Sequence, residues 1–434
     1  MRHPKDRPSR PGSVSRRDFL RGGAAVAAGI PLAGSLLAAC ENPREKLSEG
    51  QDELPLATKE SPVTMPLYDD NPPIESGLPL ERGATLKLYN FDAYTYKKVL
   101  DDFGAKYKCK VELSTFQNQD EALAKIRSGQ MDFDVAFFSP DIFGKLVLGK
   151  LIRPLNPSYI PNLEKYVWPE FSAPDQPFYD VGHRYSVPYT VWSTGIGWRN
   201  DMVDDQDDPW HIKNPYDVLW NAKYEGKIGI YDDYREAQAM VLLRNGGADP
   251  NSCIPEELTR VKDALIEMTD KVNVALSTNG AYEDLPKGIF AVHQAWSGDI
   301  INAQYYGKEN AAETAPLLSY WWPKDAKGVA GNDMMLNLIS GKNPVLAHAF
   351  LNYMLDFEVA MKNFSWVGYQ PPQLEAPPEA FRDPRFKWNW MVPDNLANCI
   401  LTHGDYARSY FDYELSPECD VTWHDGWEEF TAGV

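Results

Sequence analysis

An α/β architecture in two lobes is expected from three features of the chain. Strand-like and helix-like stretches alternate from Thr85 to Phe138, the same succession restarts at Lys227, and a Gly- and Pro-marked stretch, Tyr185 to Trp198, stands between them. Length agrees: 434 residues less a leader of 39 exceed what one hydrophobic core ordinarily fills. A hydrophobic content of 43% can fill two.

In the first half, Leu86, Leu88 and Tyr89 fit a strand, and Val99, Leu100, Phe103 and Tyr107 recur at helical spacing, with Gly104 the weak point. Val111 and Leu113 alternate with polar residues in a second strand, Lys110 to Phe116. A second helix is read from about Asp120 to Arg127, with Ala122, Leu123 and Ile126 on one face and Gly129 after its end. Asp134 to Phe138 is a short apolar strand, and Pro140 suits the first position of another helix. The order β-α-β-α-β implies a parallel sheet with helices packed on it. Ligands of such sheets sit at the carboxyl ends of the strands, here Asn90 to Tyr94, Ser114 to Phe116 and Ser139 to Asp141. The cleft so marked is polar, acidic and aromatic.

In the second half, a strand at Lys227 to Tyr231 runs into Asp232-Asp233-Tyr234-Arg235-Glu236 and a helix through Met240, Leu242 and Leu243. Another, Ile289 to His293, ends in Trp296-Ser297-Gly298-Asp299. A strand at Leu317 to Trp322 and a turn at Gly331-Asn332-Asp333 lead into the strand Met334 to Ile339. Asn343 is expected to cap a helix holding Val345, Leu346, Ala349, Phe350, Tyr353 and Met354. The remainder, rich in Pro and Trp, reads as irregular, with a short helix near Trp423 to Phe430.

The N-terminal stretch is an address. Arg16-Arg17 ahead of Phe19-Leu20 resembles a twin-arginine export signal, and Leu37-Ala38-Ala39-Cys40 resembles the lipobox at which bacterial lipoproteins are cleaved and acylated. From Gly22 to Ala39 the mildly apolar run is 18 residues long, at the lower limit for a bilayer span. Residues 1–39 are therefore read as a signal, Cys40 as the lipid anchor, and 40–83, with seven prolines, as a tether. As a flexible coil the tether would reach about 35 to 40 Å. The expected location is periplasmic or cell-surface, held at the bacterial membrane.

Charge narrows the partner. The chain carries 43 Lys+Arg against 62 Asp+Glu, a net −19, and removing residues 1–39 leaves −24. Such a field repels nucleic acid and attracts cations. Four cysteines remain after Cys40; Cys399–Cys419, close in sequence, is the expected disulfide, whereas Cys109 and Cys253 fall in different lobes and are not expected to pair. Metal-spaced Cys/His sets, HExxH, Walker and Gly-x-Ser-x-Gly motifs are absent from the sequence, so no enzyme, metal site or cofactor is expected.

Taken together, several motifs resemble the spermidine/putrescine-binding proteins of ABC importers, within the type II periplasmic binding proteins. Tyr89-Asn90-Phe91-Asp92-Ala93-Tyr94 looks like that family's first strand end, and Tyr185-Ser186-Val187-Pro188-Tyr189 like its crossing strand. Tyr224-Glu225-Gly226-Lys227 with Asp232-Asp233 and Arg235-Glu236, the Trp296-Ser297-Gly298-Asp299 loop, and Val367-Gly368-Tyr369 are similar to its later motifs. The resemblance covers roughly Leu86 to Tyr369. It implies a hinged two-lobe receptor, monomeric, with its ligand in the interlobe cleft, that serves a membrane permease. The implied division is 84–188 plus 334–380 for lobe 1 and 189–333 plus 381–434 for lobe 2. Three departures stand out: Phe91 replaces a tryptophan, Asp141 replaces an aromatic residue, and Gly331 lies where an aromatic residue precedes Asp333. Aromatic wall is expected to be lost and carboxylate gained.

A polyamine needs carboxylates spaced along a slot, with apolar or aromatic walls for its methylenes, because a buried ammonium must be paired. Asp233, Glu236, Asp299 and Asp333 suit the charges, Phe91, Tyr94, Trp296 and Tyr369 the walls, and Ser139 a neutral hydrogen bond, with Asp92 and Asp141 second in rank. Structural alternatives stand beside each. Asp233 and Glu236 are spaced like a helix-capping pair, Asp299 and Ser139 could be caps, Asp333 could satisfy its own turn, and the aromatic rings could be core or surface packing. Another organic cation, or ferric ion held by Tyr305-Tyr306, is the rival ligand; adjacent residues on a helix, however, face different sides.

Overall fold

The computed structural model describes residues 54–323, 328–381 and 392–433. The signal, Cys40 and the first part of the tether lie outside them. Among the described residues a single sheet has the order Lys110–Phe116, Thr85–Phe91, Val135–Phe138, Val329–Asn337, Ser186–Arg199, Val292–Trp296, Ile228–Ile230, Ala275–Leu276, with Leu318–Trp321 also on Ser186–Arg199. The first half supplies β1 (Thr85–Phe91), α1 (Lys97–Tyr107), β2 (Lys110–Phe116), α2 (Gln119–Arg127), β3 (Val135–Phe138) and α3 (Phe143–Leu148). β1 pairs in parallel with both β2 and β3, as the β-α-β-α-β order requires. Two long strands then cross the molecule. β4 (Ser186–Arg199) is buried along its whole length and lies antiparallel to β9 (Val329–Asn337), which in turn pairs with β3.

The second half adds β5 (Ile228–Ile230), α4 (Tyr234–Arg244), α5 (Pro255–Val272), β6 (Ala275–Leu276), β7 (Val292–Trp296), α6 (Ser297–Ala303) and β8 (Leu318–Trp321). β5 runs parallel to β7 and β6, and β7 antiparallel to β4. After β9 come α7 (Pro344–Met354), α8 (Phe357–Val367), α9 (His403–Arg408) and α10 (Pro417–Thr431). Two apolar clusters result. One gathers Leu86, Leu88, Val135, Phe137 and Phe350, the other Trp198, Trp220, Ile228, Leu242 and Leu265.

Several expectations are corrected. Gly331-Asn332-Asp333 is no turn but the middle of β9, because the ladder with β4 continues through it, Asp333 opposite Thr190 and Gly331 opposite Trp192. Residues 54–83 do not hang free as a tether. Val63 exchanges backbone hydrogen bonds with Phe178 (2.8 Å) and Val181 (2.9 Å), and Arg184 and Tyr185 donate to the carbonyls of Met65 and Pro66, both at 2.7 Å. Prolines deprive this stretch of the N–H groups a regular ladder needs, so it is pinned by isolated bonds instead.

Asn343 does not cap α7 through its side chain; its amide turns to the Thr85 carbonyl at 2.9 Å. Glu81 takes the cap's place, accepting from the Val345 and Leu346 N–H groups at 3.1 and 2.8 Å, where a carboxylate also suits the positive end of the helix. Cys419 is bonded to Cys253, not to Cys399, with Cα atoms 5.3 Å apart. Cys399 belongs to the apolar cluster of the first half, whereas Cys419 opens α10, which packs on α4 and α5.

Candidate functional site

A cleft forms where the strand ends of the two halves face each other across β4 and β9. Phe91, Tyr94 and Ser139 reach it from the ends of β1 and β3, Asp233 and Glu236 from the start of α4, Trp296 and Asp299 from the end of β7 and the start of α6. Asp333 comes from β9 and Tyr369 from the turn after α8. All nine line one cavity, together with Asp92 and Asp141.

Asp299 is engaged on both oxygens. Its two oxygens accept from the hydroxyls of Tyr231 and Tyr369, each at 2.7 Å. Tyr231 in turn accepts from the Trp296 N–H at 2.6 Å and stacks on the Trp296 indole, ring centroids 3.9 Å apart. Ring, phenol and carboxylate thus form one rigid block. Burial pushes the Asp299 carboxyl up to about 7, against the two phenolic hydrogen bonds that favour its anion.

Asp333 accepts from the Tyr94 hydroxyl, which also lies 2.5 Å from the Thr190 hydroxyl. Burial raises it likewise to about 7, while Tyr94 and the Trp192 indole oppose the shift. The Tyr94 ring meets Tyr369 edge-on at 4.6 Å and Phe91 at 5.8 Å, so these aromatic residues form a wall.

Glu236 accepts from the Trp296 indole N–H at 2.6 Å and from the Thr194 hydroxyl at 3.2 Å. Its carboxyl is held well above the usual range, first by burial and then by the charges of Asp412 and Asp233. Asp233 does cap α4, accepting from the N–H groups of Arg235 (2.9 Å) and Glu236 (3.0 Å), and it borders the cleft as well. Burial pushes its carboxyl up to about 7. The capping and lining roles are compatible because both bonds fall on Oδ1. The Ser139 hydroxyl lies 2.7 Å from both Gln119 Oε1 and Asp141 Oδ1, and Gln119 donates to Asp141. Asp92 is exposed at the mouth.

Sequence reasoning missed Trp192, Tyr231, Asp120 and Asp412, all but Tyr231 lining the cleft. Trp192 adds an aromatic face to the four rings expected from the sequence. A Cβ on Gly331 would stand 2.7 Å from Trp192 Cζ2, so the glycine opposite is what lets the indole lie across β9. The signal was present in Val191-Trp192-Ser193 but was submerged in a long apolar run. Tyr305 and Tyr306 are not among the lining residues; Tyr305 stacks on Trp366 and donates to the Ser365 carbonyl at 2.8 Å. Chemically, the cleft offers anionic oxygens fixed by phenol and indole donors, between aromatic faces. It suits an extended cation and repels an anion.

Comparison with known proteins agrees with this geometry. The family model described as bacterial extracellular solute-binding protein matches residues 98–389, and the twin-arginine translocation signal matches residues 13–30. Spermidine/putrescine-binding periplasmic protein 1 of Haemophilus influenzae is 26% identical over 307 residues, 69% of this chain and 79% of that protein. The putrescine/cadaverine-binding protein of Pseudomonas aeruginosa is 25% identical over 294 residues, 68% of this chain and 80% of its own. Among solved structures, the spermidine/putrescine ABC transporter substrate-binding protein PotD of Streptococcus pneumoniae aligns with a TM-score of 0.60 at 23% identity, covering 81% of this chain and 99% of that one.

Proposed function

The chain belongs to the bacterial extracellular solute-binding proteins, and from that premise we propose that it is the exported receptor of an ABC importer for polyamines. Its lobes close over putrescine, spermidine or a close relative and present it to a membrane permease. The family is one of binding proteins, so no catalytic role is assigned. One observation carries the ligand class: Asp299, Asp333 and Glu236 are each fixed by an aromatic residue's own donor, so charge and wall are built together along one slot. Ammonium groups pair with the carboxylates, and the methylenes between them lie against Trp192, Trp296, Tyr94 and Tyr369, each cation–aromatic contact adding about 0.5 to 2 kcal/mol. Ferric binding by Tyr305 and Tyr306 has no support from this cleft.

Calorimetric titration of the exported chain with putrescine, spermidine, choline and basic amino acids tests the reading. Saturable one-site binding of a polyamine is expected; absence of heat with every polyamine would refute the ligand class and leave the fold untouched.

Within this reading lobe 1 is 54–188 with 334–380, lobe 2 is 189–333 with the α10 end of the chain, and the receptor acts as a monomer. Cys40 anchors it after cleavage behind Ala39, supported by Leu37-Ala38-Ala39-Cys40 following the twin-arginine match. Fractionation of cells making wild type or Cys40→Ser checks this: wild type should sediment with membranes and the variant should not. Equal partition of the two would remove the anchor.

A further inference from the structure

One lining residue of the cleft, Asp412, comes not from the strand ends but from the C-terminal segment, beyond the stretch that the family model matches. Residues 410–420 are threaded between the two halves. The Tyr410 N–H donates to the Gly328 carbonyl at 3.0 Å and its carbonyl accepts from Ala330 at 2.9 Å, beside β9. Asn251 brackets the next turn of chain, donating to the Phe411 carbonyl at 2.8 Å and accepting from the Tyr413 N–H at 2.9 Å. On the other side Glu414 accepts from the Gly144 N–H at 2.9 Å, and Asp420 meets Lys145 at 3.2 Å, both at α3. The Cys253–Cys419 bond fastens the end of the segment to the loop ahead of α5.

Held from both sides, Asp412 is placed in the cleft beside Asp141, Asp233 and Glu236. Its Oδ1 is buried and accepts no hydrogen bond from the described residues. The guanidinium of Arg235 pairs with it at 3.8 Å and opposes the rise of its carboxyl, while donating its hydrogen bonds to the Tyr413 carbonyl at 3.0 Å and Asn251 Oδ1 at 2.8 Å. Four carboxyl groups therefore share a corner with one cation. Burial raises Asp412 to about 6, and its charge adds to the rise at Glu236. Such a corner burdens the empty fold and becomes favourable once a cation enters it.

We propose that Asp412 is a ligand-binding residue that determines specificity: the C-terminal segment carries it into the cleft, where with Asp233 and Glu236 it receives a terminal ammonium group of the ligand. This assignment rests on the polyamine reading of the same cleft. It makes the segment part of the binding machinery, and the disulfide a fixture that keeps that carboxylate in register.

Calorimetric titration of the exported, disulfide-bonded chain with putrescine and spermidine tests it, with wild type, Asp412→Asn, Asp412→Ala and Asp412→Glu in parallel. The Asn and Ala variants should bind at least about tenfold more weakly, as loss of a charged hydrogen bond implies, while the Glu variant, which keeps the charge, stays closer to wild type. Two results overturn the assignment alone: binding by the Asn and Ala variants within about threefold of wild type, or an equal loss in the Glu variant, which marks damage to the segment. Wild type that binds no polyamine overturns this assignment and the receptor's ligand class together.

Discussion

Replacing Asp299 by alanine should weaken polyamine binding by about 100-fold or more, the largest loss expected from a single side chain in the cleft. Truncating one partner of a buried, hydrogen-bonded charge pair costs about 2 to 5 kcal/mol. Here the change removes the anion that faces the ligand and strands two buried phenols, Tyr231 and Tyr369, which both donate to it. Tyr231 also accepts from the Trp296 N–H and stacks on that indole, so the aromatic wall loosens along with the charge. Asp299→Asn separates the two contributions. The amide keeps one acceptor for a phenol and the shape of the site, so loss in this variant reports charge, and the extra loss in Asp299→Ala reports the wall. Titration calorimetry, with near-ultraviolet circular dichroism to confirm an intact core, reads both. Binding by Asp299→Ala within threefold of wild type would take Asp299 out of the site.

Three of the cleft carboxylates were legible because each sits next to a local signature. Asp233 and Glu236 follow a short apolar strand, and Asp299 follows Trp296 at another strand's end, so topology alone brings them to the ligand side of the sheet. What stayed hidden depends on distant pairing. Trp192 lies in a strand buried on every face, where periodicity cannot tell a wall of the cleft from core. Its relation to Gly331 exists only through the β4–β9 register, and for the same reason Asn332-Asp333 read as a turn. Asp412 follows a Pro- and Trp-rich tail with no period of its own, and it is placed by Asn251, Arg235 and Gly144. Cys399 is nearer Cys419 in sequence, yet the chain folds α10 onto α4 and α5, which brings Cys253 to it across 166 residues. Residues 54–83 failed for a related reason, since proline-rich composition describes a missing ladder and not a missing partner.

Acidification should stabilise the empty receptor and weaken its hold on ligand, two opposite responses with one cause. Burial pushes Asp233, Asp299 and Asp333 up to about 7 and Asp412 to about 6, and it also raises Glu236 well above its ordinary value. In the unfolded chain the same groups titrate near 4. Between about pH 4 and 7 the folded protein therefore holds more protons than the unfolded one, and its stability falls as pH rises through that window. His293 and His348, whose burial lowers them, pull the other way below pH 6.5, but they are fewer than the raised carboxyls. Asp420, lowered by His424 and Lys145 despite its burial, loses its contribution only at lower pH. The ligand-free melting temperature should thus be higher at pH 5.5 than at pH 8. A bound ammonium reverses the balance by holding these carboxyls ionised, so binding must expel their protons. Each proton expelled weakens binding up to about tenfold per pH unit, and with several sites engaged the Kd should rise by roughly 100-fold or more between pH 8 and pH 6. Calorimetry in two buffers of different ionisation enthalpy counts the protons directly, and Asp299→Asn should lower that count. A Kd that stays level from pH 8 to pH 6, with no proton release, would mean that the ligand does not meet these carboxylates at all.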